Sequence, residues 1–398
     1  MKILLIHNFY QSSSPSGEDG VFAAERNLLE EKRTDAITFT KYNDDMQTFS
    51  NYKKITLPFQ PLWSVQTLHQ LKSLIKKTNP DLAHFHNIWY LISPSAYYAC
   101  KNAGISIVQT LHNFRFFCSN GLLMRNGRVC EECIGKIPWR GFVYGCYGSS
   151  RLYSMPIALA ESFHRYMGTW RENIDAYIAL TEFGKRKFIE CGLPEEKIFV
   201  KPNFLPNPLE PQYSNDSYAV FLGRLTAEKG LNILVDAFRN HQFLTNDPFT
   251  LRIIGDGPLR KQIERKIEHE KIANVELAGR RNPNDCMDFL KGARFMVIPS
   301  ICYETFSLTA IEAFACGKPV IASRLGALAE LVEDGKTGLL FEPGNPEDLA
   351  SKIKWMLENE SACIEMGKNA RRVFEEKYTA EKNYEILMKI YHTVLSSH

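Results

Sequence analysis

The sequence predicts an α/β fold with two Rossmann-like parallel-sheet domains facing a cleft. Short apolar runs typical of buried strands alternate with helical patterns along most of the 398 residues. The stretch 202–212 holds four prolines in eleven residues, which a helix or strand cannot run through. We therefore expect domains at 1–205 and 206–378, and a helix at 379–398 that packs back on the first domain.

The N-terminal half begins with the apolar run Lys2–Ile6, which is typical of a buried parallel strand. A polar loop follows it, and the apolar residues of 21–29 then have helical spacing. Turn signals precede two of the later apolar runs. Further strands are predicted at 81–86, 105–112 and 174–180.

The C-terminal half alternates more regularly. Strands are predicted at 218–222, 249–254, 274–277, 293–299, 319–322 and 338–341, and helices include 259–271 and 307–316. Ligands of such folds bind beyond the carboxyl ends of the parallel strands. The residues that follow each strand are therefore the first candidates for a functional site.

The composition excludes several classes of protein. With 44% apolar and 23% charged residues the chain is globular rather than disordered. Its 48 Lys and Arg against 45 Asp and Glu give a net charge of +3, too small to indicate polybasic nucleic-acid binding. No apolar stretch approaches the roughly 18 residues that cross a bilayer, and the first apolar run is too short for a signal peptide. We expect a cytoplasmic protein whose cysteines are thiols or metal ligands.

Two cations follow the strand predicted at 218–222, in the segment GRLTAEKG at 223–230. Gly223 lets the chain turn close to a ligand, while Arg224 and Lys229 bring two positive charges to one strand end. A helix that begins near Gly230 adds its N-terminal amides. The combination suits a diphosphate. The alternative is a surface loop with two solvated cations.

Two carboxylates follow the strand predicted at 293–299. Glu304 lies in the loop, Ser307 is a good N-cap for the next helix, and Glu312 lies inside that helix. A carboxylate accepts hydrogen bonds from neighbouring hydroxyls, so a sugar ring is a suitable partner. The alternative is that Glu304 supports the helix N-terminus and that Glu312 is a solvated helix residue.

The segment GRLTAEKG, the Glu-x7-Glu spacing from Glu304 to Glu312 and the segment GKPVIA at 317–322 together resemble the retaining glycosyltransferases of family 4, which have the GT-B fold. The resemblance covers most of the chain and is densest from 218 to 345. It implies a nucleotide-sugar donor, with a UDP- or GDP-sugar expected, held mainly by the C-terminal domain. It also implies a saccharide or lipid-linked saccharide acceptor in the assembly of lipopolysaccharide, capsule or exopolysaccharide.

The same resemblance assigns roles to single residues. Arg224 and Lys229 match the pair that neutralises the donor diphosphate, Glu304 matches the carboxylate near the donor sugar, and His112 matches a histidine near the transferred sugar. Glu312 matches the carboxylate that holds the ribose hydroxyls. The other donor-binding candidates are Gly17, Gly20, Gly223, Asp256, Gly257, Thr305, Phe306, Ser307 and Leu308.

Several positions depart from the family pattern or match it loosely. Thr305 and Ser307 stand where the family commonly has glycine. We therefore expect the backbone there to approach the donor sugar less closely than in the family. A lone histidine at a strand end is more often structural than catalytic. His84 and His86 are candidates for the acceptor side.

The implied mechanism is glycosyl transfer with retention, in which negative charge builds on the departing nucleoside diphosphate. Fixed cations and a helix N-terminus stabilise that charge more in the transition state than in the ground state. The chain has no Asp-x-Asp motif of the kind that would suggest a divalent cation, because Asp44 and Asp45 are adjacent. We therefore expect catalysis without a divalent metal.

Four cysteines fall within one 29-residue stretch of an insertion near 113–150. They are Cys118, Cys130, Cys133 and Cys146, with a single Cys-x2-Cys among them. Four thiolates are a suitable tetrahedral set for a structural zinc ion. The alternative, four unrelated cytosolic thiols, is equally compatible with the spacing.

The stretch 113–171 is basic and aromatic, with eight Lys and Arg against three Glu. This combination suits the surface of an anionic membrane or a lipid-diphosphate acceptor, which would place the protein on the inner face of the membrane. The alternative is a basic loop whose aromatic residues form a local core.

Three other functions fit the sequence less well. A sugar-nucleotide epimerase or phosphorylase of the same fold lacks the pairing of GRLTAEKG with Glu-x7-Glu. A nicotinamide dehydrogenase is less compatible, because Arg260 stands where the third glycine of a dinucleotide fingerprint would be. A non-catalytic zinc-knuckle module that binds nucleic acid conflicts with the small net charge, so we expect no nucleic-acid partner.

Overall fold

A computed structural model describes residues 1–13, 16–51, 56–206, 210–213, 217–244 and 249–397, apart from the side chains of 240–244. The chain divides into two compact units. The first unit consists of Met1–Leu123, Cys130–Pro206 and Ala380–His398, and the second consists of Met124–Val129 and Asn207–Thr379. Each unit is built on one parallel sheet.

The first unit contains a six-stranded parallel sheet with the order β2-β1-β3-β4-β7-β8. Its strands are β1 (Lys2–Phe9), β2 (Asp35–Tyr42), β3 (Leu82–Phe85), β4 (Ser106–Thr110), β7 (Ala176–Ala179) and β8 (Ile198–Val200). The two strands between, β5 (Met124–Arg125) and β6 (Arg128–Val129), form a separate antiparallel hairpin that belongs to the second unit.

Helices surround this first sheet. They are α1 (Gly17–Glu31), α2 (Val65–Thr78), α3 (Ser95–Lys101), α4 (Arg140–Val143), α5 (Arg151–Tyr166), α6 (Thr169–Glu172), α7 (Glu182–Glu190) and α15 (Ala380–Ser396). The core joins Ile3 and Leu5 of β1, Phe22 of α1 and Leu387 and Tyr391 of α15, all of which are fully buried. The last helix of the chain therefore completes the core of the unit that the chain starts.

The second unit contains another six-stranded parallel sheet, with the order β11-β10-β9-β12-β13-β14. Its strands are β9 (Tyr218–Leu222), β10 (Thr250–Ile254), β11 (Val275–Gly279), β12 (Phe295–Ile298), β13 (Val320–Ser323) and β14 (Gly338–Phe341). The two sheets confirm the α/β class with two parallel-sheet domains.

The helices of the second unit follow its strands in alternation. They are α8 (Leu231–Leu244), α9 (Arg260–His269), α10 (Pro283–Gly292), α11 (Leu308–Ala315), α12 (Leu328–Leu331), α13 (Pro346–Glu358) and α14 (Glu360–Lys377). Several start at side-chain caps that the sequence provides: Asn345, for instance, accepts a hydrogen bond from the Asp348 amide, with Pro346 in the first helical position. No helix in the described residues is long and apolar enough to span a membrane.

The direction of the strand order reverses at one place in the second sheet. The chain starts at β9 and adds β10 and β11 on one side, and then crosses over to add β12, β13 and β14 on the other. Loops leave β9 and β12 in opposite directions at such a point, and this opens a crevice beyond the carboxyl ends of the two strands. The candidate site of this unit lies there.

Candidate functional site

The loops after β9, β10 and β12 are held together by backbone hydrogen bonds. The Leu225 amide donates to Asp256 O at 2.9 Å, and the Ile301 amide donates to Glu228 O at 2.9 Å. The segments predicted from the sequence to bind the donor, 223–230, 255–258 and 299–308, therefore lie side by side at the reversal point.

Glycines make this close packing of loops feasible. A Cβ atom on Gly255, whose φ is +144°, would lie 1.9 Å from the carbonyl oxygen of Gly223. A Cβ on Gly230, whose φ is +70°, would lie 1.9 Å from the carbonyl oxygen of Pro299. Any larger residue at either position would push two loops of the site apart.

Lys229 and Glu304 form the central ion pair of the site. The Lys229 ammonium lies 2.9 Å from Glu304 Oε1, which also accepts a hydrogen bond from the Ser300 hydroxyl. Burial opposes the lysine charge, but the Glu304 carboxylate outweighs it and raises the pKa of Lys229 above its ordinary value. Lys229 is therefore a fixed cation, with 28% of its side chain still accessible.

Arg224, the second predicted cation, lies at the other end of the same turn and is exposed. Its side chain forms no hydrogen bond or ion pair with any residue that the structure describes. Its guanidinium can therefore donate to an anionic ligand without first giving up a protein partner.

Glu312 lies in helix α11 among residues that are mostly buried, and it is itself half-buried. Burial raises the pKa of this carboxyl group to about 7. No described side chain donates a hydrogen bond to it. A partly desolvated carboxylate without a donor in the protein is well suited to accept hydrogen bonds from ligand hydroxyls.

The segment between the two carboxylates adopts a conformation that does not require glycine. Thr305 and Ser307 are buried, and neither has a positive φ. The Ser307 hydroxyl caps helix α11 by accepting from the Ala310 amide, and Phe306 packs edge-on against Tyr378. Leu308 is the first residue of the helix. These side chains therefore have structural partners, and their roles toward a donor stay predictions.

Asp256 and Gly257 lie in the loop after β10. The Asp256 carboxylate accepts a hydrogen bond from the Gly257 amide at 2.7 Å and lies 3.6 Å from the Arg260 guanidinium. Half of the Asp256 side chain is accessible. A Cβ on Gly257 would lie 2.6 Å from Leu225 O, so this position also needs glycine because of the neighbouring loop.

In the first unit, Gly17 and Gly20 belong to the first turn of helix α1 and are exposed. Nothing lies within 4 Å of the place where a Cβ on Gly20 would stand. Asp19 closes the turn by accepting from the Ser16 amide at 3.1 Å, and it also contacts His7 Nε2 at 2.8 Å. Residues 14 and 15 of the polar loop predicted before this helix lie outside the described part of the chain.

His112 lies two residues after the end of strand β4, and a hydrogen bond with His86 orients its ring. Its Nε2 lies 3.0 Å from Nδ1 of His86, whose own Nε2 lies 3.1 Å from Glu25 Oε1. Burial, and then the neighbouring His86, lower the pKa of His112 well below its ordinary value. The ring of His112 is therefore neutral at physiological pH.

Glu25 sets the direction of this chain of hydrogen bonds. Burial by itself would raise its pKa, but Lys201, at 2.9 Å, and the neighbouring histidines hold that pKa well below the usual range. An ionised Glu25 only accepts, so His86 must donate from Nε2 and accept at Nδ1. His112 then donates from Nε2, which leaves the lone pair on its Nδ1.

The same cluster has the spacing of a metal site but the chemistry of a hydrogen-bonded core. Glu25, His84 and His86 are the group of described residues whose ligand atoms all lie within 4.8 Å of one another. The Lys201 ammonium already occupies the second oxygen of Glu25, and a metal ion there would face this buried positive charge. We interpret the group as structural.

His84, expected on the acceptor side, is instead enclosed in the core. Its Nδ1 lies 2.7 Å from the Tyr391 hydroxyl, its Nε2 lies 2.7 Å from the Thr110 hydroxyl, and it has no exposed surface. The sequence interpretation was wrong for this residue. Strand β3 is buried on both faces, so the side chains on either face of the strand lie inside the protein.

A small cavity at the carboxyl ends of β3 and β4 brings His112 together with Glu18, which the sequence analysis did not name as a site residue. Asn113, Trp89 and His86 also line this cavity. Asn113 donates to the Glu18 carboxylate at 3.3 Å, and burial raises the pKa of Glu18. In the sequence, the only sign of a role for Glu18 is its place in the segment Gly17–Gly20, and an ordinary turn explains that segment equally well.

Comparisons with known proteins agree with this geometry. The model of the Glycosyltransferase Family 4 domain matches residues 42–206, and that of the glycosyl transferases group 1 matches 209–373. An uncharacterized glycosyltransferase of Methanocaldococcus jannaschii is 31% identical over 327 residues, which are 81% of this chain and 86% of that protein. The chain belongs to glycosyltransferase family 4.

Relatives of this glycosyltransferase with a named activity match shorter parts of it. The O-antigen chain mannosyltransferase C of Escherichia coli is 28% identical over 184 residues, which are 46% of this chain and 48% of that protein. Among solved structures, Anabaena HepE in complex with UDP has a TM-score of 0.68 at 19% identity, and sucrose-phosphate synthase from Thermosynechococcus elongatus has 0.71 at 18%. Each of these alignments covers both chains completely, and together they confirm the predicted GT-B fold.

The cysteines of the glycosyltransferase that were predicted to bind zinc all lie in its first unit. Burial raises the pKa of Cys133 to about 12, and Cys118, Glu161, Cys130 and Cys146 are near enough to raise it further. Within the described residues, however, no three of the four sulfur atoms lie within 4.8 Å of one another. The cysteines thus share one neighbourhood without the spacing of a closed tetrahedral site.

Proposed function

We propose that this glycosyltransferase moves a sugar, with retention of configuration, from a UDP- or GDP-sugar to a saccharide or lipid-linked saccharide in surface polysaccharide assembly. The observation that carries the proposal is the set of charges at the reversal point of the second sheet. Arg224 and Lys229 stand at the two ends of one turn, and the carboxylates of Glu304 and Glu312 follow the neighbouring strand.

The charges have the signs that the reaction needs. As the bond from the sugar to the diphosphate breaks, negative charge grows on the leaving oxygen, and the Lys229 ammonium and Arg224 guanidinium stabilise it. The ammonium has three donors, so Lys229 can hold Glu304 and a phosphate oxygen together. Glu304 is in turn fixed by two donors, which orients its second oxygen for a sugar hydroxyl.

The first unit supplies the residue proposed to lie near the transferred sugar. The neutral ring of His112 is oriented by His86 and Glu25, which fix its tautomer. Gly17 and Gly20, which are exposed in the first turn of α1, are proposed to contact the donor. Glu18, in the cavity beside His112, is a candidate acceptor of hydroxyl protons in the same place.

The relatives support the choice of substrates. HepE was solved with UDP and with UDP-glucose, and relatives include the O-antigen chain mannosyltransferase already named and a capsular polysaccharide biosynthesis glycosyltransferase of Staphylococcus aureus. Because these substrates belong to other proteins, the donor base, the sugar and the acceptor must be measured on this chain.

The test is transfer itself. The protein is incubated with a panel of UDP- and GDP-sugars and with saccharide acceptors, and the anomeric configuration of the product is read by NMR. A product with the donor's configuration supports the proposal, and an inverted product contradicts retention. Conversion of the donor to its epimer without an acceptor would favour the epimerase alternative. We expect the rate to be unchanged by a chelator such as EDTA, since two side-chain cations face the leaving group.

We also propose that the clustered cysteines bind one structural zinc ion, which would require their sulfur atoms to approach one another. Elemental analysis of the purified protein is expected to give about one zinc per chain. A metal-free, folded protein whose four thiols are all alkylated freely would contradict this proposal.

Donor affinity is expected to depend on the protonation of Glu312. Its pKa is about 7, and only the ionised carboxylate accepts hydrogen bonds from two ribose hydroxyls. Lowering the pH from about 8 to about 6 should therefore weaken donor binding roughly tenfold, because the ionised fraction falls by that factor. Calorimetric titration with a nucleotide-sugar, whose esterified diphosphate does not titrate in this range, measures the effect.

The Glu312→Gln variant should bind the donor more weakly than the wild type, with an affinity that no longer changes over this pH range. Glu347→Gln, at an exposed position of helix α13, is the matched control and should retain the wild-type profile. If the donor affinity of Glu312→Gln still fell between pH 8 and pH 6 as in the wild type, Glu312 would not belong to the donor site.

A further inference from the structure

The exposed apolar side chains of the described residues are unevenly distributed. Eleven of the seventeen large apolar side chains that are exposed lie between positions 137 and 167, in and before helix α5. Isolated exposed apolar residues are ordinary, but a concentration of them on one surface usually marks an interaction site. This segment belongs wholly to the first unit.

Helix α5 carries a continuous apolar stripe on its solvent side. Leu152, Met155, Leu159, Phe163 and Tyr166 follow one another at intervals of three or four residues, and 41–88% of each is exposed. The opposite side of the helix is buried in the first unit and includes Ile157 and Ala160. Both sides of the helix are therefore apolar, although only one faces the core.

Within the segment 137–167 arginine reaches the solvent and no acid does, although Arg140 pairs with Glu132, which precedes the segment, at 2.9 Å. Between 137 and 167 the sequence has three arginines, Arg140, Arg151 and Arg165, and one acid, Glu161. Glu161 has no exposed surface and accepts a hydrogen bond from the Ser119 hydroxyl at 2.8 Å. No acid of this segment therefore reaches the solvent, whereas Arg151 is exposed at the start of the stripe.

Aromatic residues with a polar atom border the stripe. Trp139 is 56% exposed, and Tyr144 and Tyr153 are 45% and 64% exposed. Tryptophan and tyrosine are favoured where one end of the side chain is apolar and the other meets water, as at the boundary between lipid tails and headgroups. A stripe of aliphatic residues bordered by such aromatics and by arginine is typical of a helix lying in a membrane interface.

We propose that the stripe of helix α5, with Trp139 and Arg151 at its border, is a docking surface for an anionic lipid bilayer. The helix lies in the plane of the bilayer with its apolar side chains among the acyl chains, and the exposed Arg151 contacts the acidic headgroups. This deepens the proposed function and rests on it, because a lipid-linked saccharide acceptor is held in such a bilayer. The exposed aliphatic stripe together with exposed tryptophan and tyrosine argues for lipid rather than a protein partner.

Vesicle flotation tests the surface directly. The full-length protein is mixed with vesicles of phosphatidylcholine alone, or with equal parts of phosphatidylglycerol, and the bound fraction is measured after centrifugation. We expect binding to the anionic vesicles, and a loss of about tenfold or more in the double variant Leu152→Glu/Leu159→Glu, since each substitution puts a charge where an apolar side chain was buried in lipid. The matched control is Val65→Glu on helix α2, which is 58% exposed outside the stripe and should bind like the wild type.

Three results would overturn the proposal: a wild type that does not bind anionic vesicles, a double variant that binds as well as the wild type, or an equal loss in Val65→Glu. Sedimentation velocity without lipid gives another, since a wild-type dimer that becomes monomeric in the double variant would make the stripe an interface between two copies. Circular dichroism verifies that the variants are folded.

Transfer to a water-soluble saccharide, measured without vesicles, separates this proposal from the proposed function. Unchanged transfer in the double variant, together with lost vesicle binding, supports the docking surface. A wild type that binds vesicles but transfers no sugar contradicts the function and leaves the surface standing as a lipid-binding site.

Discussion

Replacing Lys229 by alanine is expected to lower kcat about 10²- to 10³-fold while the protein stays folded. The ammonium is proposed to face charge that grows on the leaving diphosphate, and removing one preformed donor of this kind commonly costs a factor of that size. Because the effect belongs to the transition state, KM for the donor should change much less than kcat. Steady-state kinetics on the transfer reaction measures both.

The matched control for this prediction is Lys266→Ala. Lys266 is also half-buried in the second unit and also forms an ion pair, with Asp236 at 2.8 Å, but it lies in helix α9. A comparable loss of kcat in this control would mean that the effect comes from breaking any ion pair. The variant Lys229→Ala/Glu304→Gln removes the carboxylate charge left unpaired by the single change and should be at least as slow, since Glu304 is itself proposed to bind the donor sugar.

Replacing Glu25 by glutamine is expected to lower the free energy of unfolding by about 3–5 kcal/mol. The change leaves the Lys201 ammonium buried without its carboxylate, and an unpaired buried charge has a cost of this order. Chemical unfolding in urea, followed by circular dichroism, measures the difference. The double variant Glu25→Gln/Lys201→Met should recover part of the loss, because it removes the charge left behind.

Glu30→Gln provides the comparison on the same helix. Glu30 pairs with Arg26 at 3.6 Å, and 58% of its side chain is exposed, so its loss should cost less than about 0.5 kcal/mol. Equal costs for the two variants would mean that the Glu25 cluster contributes nothing beyond an ordinary surface pair. In that case the orientation of His112 through His86 would also be in doubt.

Most of the second unit could be predicted from the sequence, because four of its strands, β9, β12, β13 and β14, are buried along their whole length and form continuous apolar runs. The predictions for 218–222 and 338–341 coincide with β9 and β14, and the other four strands differ by one to three residues at their ends. The segments that carry Arg224, Lys229, Glu304 and Glu312 followed from the rule that ligands bind beyond such strand ends.

The first unit was harder, and strand β2 shows why. Asp35–Tyr42 is an edge strand whose residues are exposed or half-buried throughout, so it alternates threonine with apolar residues and has no continuous apolar run. The strand β8 at the opposite edge was also missed, because its apolar run Ile198–Val200 is only three residues long. A strand that is only partly covered does not need the apolar pattern by which buried strands are found.

The hydrogen-bonded chain behind His112 could not be predicted for a different reason. Glu25 lies in an amphipathic helix where an acid is ordinary, and its partner Lys201 is 176 residues away. Neither residue has a local pattern that distinguishes it from a solvated charge. Only the fold shows that the two are buried together, and that they orient His86.

The position of helix α15 in the first unit affects how the protein is made. Leu387 and Tyr391 complete a core begun by β1, although the whole of 207–379 is synthesised between the two. A nascent chain on the ribosome must therefore leave the part of this core that Leu387 and Tyr391 fill uncovered until residues 380–396 emerge. Chaperones that bind exposed apolar surface have that interval in which to act, and shortening the chain from its carboxyl end would make the interval permanent.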